Sequence, residues 1–221
     1  MATRTTEPLD PGIAFYTPGT LRFYDLLVHG ISNRFVWRCP TARLVEQYDR
    51  HVSARHLDVG PGTGFLLDRC RVPVTRPELT LLDANPAVLT YAARRLARYI
   101  PTTIEADVRL PLSLGDARFD SIGLSYVLHC IPSSMADKTR ILAGLAGLLS
   151  PGGVLFGSTI LADGVDHCRR ARAVMGLYNR KGIFGNAADN RDELEAALSH
   201  TCPRFELAVV GSVALFAGSV E

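Results

Sequence analysis

Short apolar runs alternate along this chain with stretches in which apolar residues recur every three or four positions. The runs are HLDV at residues 56–59, LTLL at 79–82, TIEA at 103–106, FDSIGLS at 119–125 and GVLFGSTI at 153–160. Between them Val88, Tyr91, Ala92 and Leu96 follow an Asn85-Pro86 pair, which reads as an N-cap with proline at the first helical position. Ile141, Leu145, Leu148 and Leu149 repeat the helical spacing, and Pro151-Gly152-Gly153 is expected to stop that helix. Strands alternating with helices predict an α/β fold, a parallel sheet covered on both faces. Near-continuous apolar strands suit such burial.

The pattern changes at both ends. Residues 1–12 are polar and read as a loose tail, and residues 15–50 are rich in aromatics, with spacing that predicts short helices interrupted at Gly30 and Pro40. Beyond Ile160 comes an arginine-rich helical stretch at 163–180. Asn190 with Glu193 opens a further helix through His200. Residues 205–218 read as two strands turning at Gly211-Ser212, a hairpin. The chain is thus expected to be one domain. An aromatic helical cap occupies 1–50, a core 51–160, a helical insertion 161–203 and a hairpin 204–221.

Composition narrows the class. Of 221 residues, 47% are hydrophobic and 21% charged, enough to bury a core and too apolar for a disordered chain. With 24 basic against 22 acidic residues there is no excess to suggest a nucleic-acid partner. Five cysteines lie scattered with no CxxC pair, so neither a zinc cluster nor a disulfide framework is expected, and no metal. Free thiols and the lack of an apolar leader run point to the cytoplasm. Residues 141–162 carry no charge and could span a bilayer on length alone, but Ser150-Pro151-Gly152-Gly153 breaks them, so no membrane partner is expected.

The most informative segment is His56-Leu57-Asp58-Val59-Gly60-Pro61-Gly62-Thr63-Gly64, at the carboxyl end of the first strand. Glycines there let the backbone turn sharply and let a ligand approach closely, at the edge where open α/β sheets bind ligands. The second strand ends in Asp83, nineteen residues after Gly64, a spacing that suits a carboxylate accepting from ribose hydroxyls. The third ends in Asp107, placed to accept from an exocyclic amine, and Asp58 precedes the loop where a cationic amino-acid head could sit. The third glycine comes one residue too early for the dinucleotide fingerprint. Three acids around one pocket are also hostile to a pyrophosphate, which disfavours a nicotinamide oxidoreductase.

In order, DVGPGTG, LLDANPAVL, EADVRLPL, FDSIGLSYVLHCIP and LLSPGGVLFGSTIL resemble the class I S-adenosylmethionine-dependent methyltransferases. YTPGTLRFYDLLVHGISNRFVWRCPT and NRKGIFGNAADNRDEL look more loosely like small-molecule methyltransferases of bacterial and fungal metabolism. The resemblance implies a Rossmann-like, seven-stranded, mostly parallel sheet with an antiparallel C-terminal hairpin and a helical cap. It implies S-adenosyl-L-methionine as cofactor. Gly60, Pro61, Gly62 and Gly64 would line its methionine and ribose portion, and Asp58 would hold its amino group, directly or through water. Asp83 would take the ribose hydroxyls, Ala84 or Asn85 would border the adenine, and Asp107 would bind the adenine amine with Val108 on the ring. Ser125 and Tyr126 would face the amino-acid end and the substrate.

Methyl transfer needs alignment above all, and a base only if the nucleophile arrives protonated. His129 is the candidate catalytic base, with a structural histidine as the alternative; His29 and His167 are weaker candidates. Tyr16, Tyr24, Trp37, Tyr178 and Phe184 could wall a substrate ring, with Asn33 or Asn179 as polar contacts. Arg169, Arg170, Arg172, Arg180 and Lys181 could attract an acidic substrate, but a solvated helix face is the commoner reason for such a stretch. The expected reaction is transfer to an oxygen or nitrogen of a small, largely apolar metabolite. Competing readings are a cofactor-binding regulatory or scaffold subunit without turnover, and an enzyme that uses the cofactor for a non-methylating rearrangement. A nucleic-acid methyltransferase is disfavoured because LSYV stands where an Asn/Asp-Pro-Pro-aromatic signature would be. Assembly as a homodimer stays open.

Overall fold

A computed structural model describes residues 25–220. Seven strands form one sheet in the order β3-β2-β1-β4-β5-β7-β6. They are β1 Arg55–Val59, β2 Glu78–Asp83, β3 Thr102–Glu105, β4 Phe119–Ser125, β5 Leu149–Ile160, β6 Arg204–Val210 and β7 Val213–Ser219. The first five run parallel, while β7 enters antiparallel between β5 and β6. The expected α/β class, the five parallel strands and the terminal hairpin are therefore all present.

Among the described residues six α-helices accompany the sheet: α1 Thr41–His51, α2 Phe65–Arg69, α3 Pro86–Arg95, α4 Met135–Ala146, α5 Arg169–Arg180 and α6 Arg191–Thr201. Their starts are written locally. The Asn85 side chain accepts from the Ala87 amide, with Pro86 at the first turn. Ser134 and Asp137 close a capping box on α4, and Asn190 accepts from the Glu193 amide. Period-two alternation sorts β1: His56 and Asp58 face one side of the sheet, Leu57 and Val59 the other. On the first side Tyr48 of α1 and Val52 just beyond it, Leu67 of α2 and Leu89 and Ala92 of α3 pack against Leu81 and Phe156. On the second, Ile141, Leu142 and Leu145 of α4 and Leu194 and Leu198 of α6 cover Leu57, Val59, Ile122 and Leu155. A third cluster joins Trp37 and Leu44 to Met175 of α5, Phe184 and Leu215, and forms the core of the cap.

Three local expectations are corrected. The helix expected to run to Leu149 ends at Ala146, and β5 already begins at Leu149. Pro151-Gly152-Gly153 sits inside that strand, where the register jumps from Phe119↔Leu149 to Ser121↔Val154. The surplus residues of β5 bulge out, so the proline needs no ladder partner. Gly30 interrupts nothing: Asp25–Val36 form one π-helical segment across it, and the break falls at Pro40. The arginine-rich helix occupies only Arg169–Arg180. The tail expected at 1–12, together with Tyr16 and Tyr24, lies outside the described residues. No helix among the described residues is long and apolar enough to cross a membrane.

Phe156 is fully buried and meets Tyr48 edge-on, with ring centroids 5.0 Å apart, and His56 stacked at 5.8 Å. Phe156→Ala is expected to cost about 3–5 kcal/mol. Urea unfolding checks this, and a loss below about 1 kcal/mol would place the core elsewhere.

Candidate active site

The strand order reverses between β1 and β4, so the loops leaving their carboxyl ends part and leave a crevice. One side of it is the glycine loop. Gly60 and Gly62 adopt left-handed backbone, with φ of +63° and +56°. A Cβ at Gly60 would stand 2.6 Å from the Val127 side chain, whereas one at Gly62 would enter open space. Both line the pocket with Pro61 and Thr63. The other side is the turn after β4. Tyr126 there has φ of +62°, which costs a non-glycine residue roughly 1–2 kcal/mol. Its amide donates to the Ser158 carbonyl at 2.8 Å and its hydroxyl to Asn33 Oδ1 at 2.9 Å, so both neighbours hold the conformation.

Asp83 and Asp107 reach the same pocket from the ends of β2 and β3. Burial pushes the Asp83 carboxyl up to about 6, against the pull of the Asn85 and Ala84 amides. The Asn85 amide donates to Asp83 Oδ1 at 2.7 Å. Asp107 is engaged by the Arg109 guanidinium at 2.7–3.0 Å. Burial raises its pKa, but the bonds and charge of Arg109 prevail and hold it below the usual carboxylate range.

Asp58 departs from the expected ring of three acids. It is 2% exposed and absent from the pocket lining, because β1 turns it with His56 toward α1. Tyr48 intervenes: it lines the pocket and donates its hydroxyl to Asp58 Oδ1 at 2.8 Å. Burial raises the Asp58 pKa to about 7, partly offset by that hydrogen bond, and burial also raises the Tyr48 phenol well above its ordinary value. Asp58 thus meets the crevice through Tyr48.

The cap closes over this floor. Thr63 Oγ1 and the Arg95 guanidinium donate to the two oxygens of Asp25, at 2.5 and 2.6 Å, fastening the π-helical segment to the glycine loop. His29, on the same segment, lines the pocket and stacks on Phe65 with centroids 4.4 Å apart. Burial above all, opposed by Asp25 and helped by Arg95, lowers its pKa to about 4, so the imidazole is neutral at physiological pH.

Of the residues singled out from the sequence, His29, Gly60, Pro61, Gly62, Asp83, Ala84, Asn85, Asp107, Val108, Ser125 and Tyr126 come together around one pocket. The others do not line it. Gly64 starts α2 with φ of +74°, and a Cβ there would press on Leu96 and Ala92, so it serves helix packing. His129 is 3% exposed, packed edge-on against Phe184 and Tyr126. Burial, then Lys138, lowers its pKa to about 3, and its Nδ1 accepts from the Ile160 amide at 3.4 Å. It does not itself line the pocket, and it stands directly behind Tyr126, which does. Phe184 packs tilted against Trp37 and edge-on against Tyr178 in the third cluster, and Asn179 donates to Asn186 Oδ1 and the Met175 carbonyl. Asn33 is buried beneath Tyr126 and donates to Thr41. Sequence reasoning missed Tyr48, Thr63, Phe65 and Arg109. Thr63 stood inside the quoted loop and Arg109 two residues beyond Asp107, whereas nothing in the sequence sets Tyr48 apart from a core residue of α1.

Both Asp58 and Asp83 have folded pKa values above the ~3.9 of an unfolded aspartate. The folded state therefore holds their protons more tightly; that stability is complete below the unfolded value and is lost as the pH rises through about 6 and about 7. Asp58→Asn, whose amide oxygen can still accept from Tyr48, is expected to gain on the wild type by at least ~1 kcal/mol between about pH 4 and pH 8. Urea midpoints across that range test it; a constant difference would mean that Asp58 ionises as freely folded as unfolded.

Comparison with known proteins agrees with this geometry. A family model described as a methyltransferase domain matches residues 57–155. Demethylluteothin O-methyltransferase of Streptomyces thioluteus is 42% identical, covering 93% of this chain and 89% of the relative. Methyltransferase verB of Penicillium polonicum is 38% identical over 94% of this chain and 97% of its own. The solved complex of DhpI with SAH aligns with a TM-score of 0.65 at 13% identity, over 95% of both chains. N-methyltransferase NodS from Bradyrhizobium japonicum WM9, bound to S-adenosyl-L-homocysteine, gives 0.55 at 16% identity, over 81% of this chain and 83% of that one. At those identities the two structures speak for the fold alone. The crevice at the β1/β4 reversal, with its left-handed glycine turn and strand-end acids, thus belongs to a chain of the class I S-adenosylmethionine-dependent methyltransferase family.

Proposed function

We propose that this enzyme methylates an oxygen of a small, largely apolar metabolite. The single observation that carries the reading is the division of the pocket. Asp83 and Asp107 stand at the β2–β3 side, and Cys130, Ile131 and Pro132 at the β4 side, with the glycine loop between them. The residues present fit S-adenosylmethionine. The open space beside Gly62 leaves room for its chain. Asp83 would take the ribose hydroxyls, Ala84 and Asn85 would border the base, and Val108 would pack on the adenine ring. Asp107, steadied by Arg109, would accept from the adenine amine. Ser125 and Tyr48 would meet the amino-acid end, with Asp58 behind Tyr48 supplying negative charge. When bound, the cofactor supplies a methyl group already activated on a sulfonium.

What remains for the protein is to hold the acceptor in line and keep water out. Tyr126, Ile131 and Pro132 offer an apolar wall for a ring. Among the described residues, the segment Asp25–Val36 brings His29 to the pocket, where its neutral imidazole would accept a hydroxyl proton; His129 would position Tyr126 and Phe184 from behind. Oxygen is favoured over nitrogen because relatives of this length include named O-methyltransferases, that of Streptomyces thioluteus and the physcion biosynthesis cluster enzyme of Aspergillus chevalieri.

Calorimetry with S-adenosylhomocysteine and turnover of a panel of phenols and anilines test the proposal. Asp83→Ala is expected to weaken S-adenosylhomocysteine binding roughly 10- to 100-fold, through loss of charged hydrogen bonds. Phenols should gain one methyl in mass and anilines none. Unchanged affinity in the variant, or methylation of anilines alone, would overturn the assignment.

A further inference from the structure

Lys138 of α4 is 0% exposed. A buried ammonium is costly unless it is paired and hydrogen-bonded. Its Nζ donates to both oxygens of Asp189, at 2.8 and 2.7 Å, and to the Gly185 carbonyl at 3.1 Å. All three protons of one side chain thus fix two points of the stretch 181–190. Other bonds fix the same stretch: the Gly185 amide donates to the His129 carbonyl at 2.8 Å, and Asn186 Nδ2 donates to the Ile160 carbonyl at 2.8 Å. The fit against the neighbouring turn is tight, since a Cβ at Gly185 would stand 2.3 Å from Pro132 Cα. Pro132 lines the pocket beside Ile131 and Cys130, and Gly182 of the stretch lines it too. Sheet order puts this wall across the crevice from Asp83 and Asp107.

The geometry points to Lys138 as a positioning residue: it clamps residues 181–190 onto Pro132, sets the acceptor-side wall and so governs which acceptor fits. This rests on the reading above, in which the β4 side of the pocket receives the acceptor. Cofactor binding should be indifferent to the clamp, because neither Lys138 nor Asp189 lines the pocket.

Two variants separate this role from a general contribution to folding. Lys138→Met combined with Asp189→Leu replaces the ion pair by apolar side chains without stranding a charge. Gly185→Ala keeps the ion pair but pushes the wall off Pro132. The chain's single tryptophan, Trp37, packs on Phe184 of the same stretch with centroids 6.0 Å apart, so its emission reports the wall. With 1-naphthol as probe, titrated in the presence of S-adenosylhomocysteine, both variants should show red-shifted Trp37 emission. Their dissociation constants for 1-naphthol should change about fivefold or more, while those for S-adenosylhomocysteine stay within about threefold. Identical Trp37 and 1-naphthol responses in all three proteins, including no response in any, would overturn the inference. So would S-adenosylhomocysteine affinity falling in step with that for 1-naphthol. A wild type that fails to bind S-adenosylhomocysteine would instead bring down the cofactor reading, and this one with it.

Discussion

Everything at the pocket depends on one constraint of chain topology. When the order of a parallel sheet reverses, the two connections that start side by side must leave on opposite faces. Here β1 passes into α2 on one face, and β4 passes through its turn toward α4 on the other. Among the described residues a pocket opens in the gap between the two exits. The glycine loop and the strained turn at Tyr126 are the two lips of that gap, and the strand-end acids are brought to it by the order β3-β2-β1.

A gap of this kind exposes desolvated carboxylates with few protein cations to balance them. The chain resolves the matter differently at each acid. Asp107 has Arg109, Asp83 leans on backbone amides, and Asp58 is withdrawn beneath Tyr48. Burial raises the pKa values of Asp58 and Asp83, and a ligand carrying positive charge and hydroxyl donors is the natural complement.

Much of this was legible in the sequence, because the features concerned are local. A glycine turn after an apolar run, acids at the ends of the next two runs and an Asn-Pro helix start each depend on neighbours a few residues away. What could not be read depends on partners far along the chain. Pro151-Gly152-Gly153 looks like a stop signal, and only the pairing of β5 with β4 reveals a bulge inside a continuing strand. The aromatics Trp37, Tyr178 and Phe184 suit a pocket wall as well as a cap core, since composition carries no information about which way a ring faces. Tyr48 follows Leu44 at helical spacing and reads as core. Its second role exists because β1 places Asp58 under its hydroxyl.

Two of the moorings of the described segment 25–40 differ in chemistry. Near its beginning, Asp25 binds Thr63 and Arg95 through charges that are partly open to solvent. Near its end, the Trp37 carbonyl accepts from the Ser212 amide at 2.8 Å, and Gly211 packs so closely that a Cβ would stand 2.2 Å from that carbonyl. Dissolved ions screen the first mooring and scarcely touch the second. Raised ionic strength therefore loosens the segment where it meets the glycine loop and leaves its attachment to the β6–β7 turn in place.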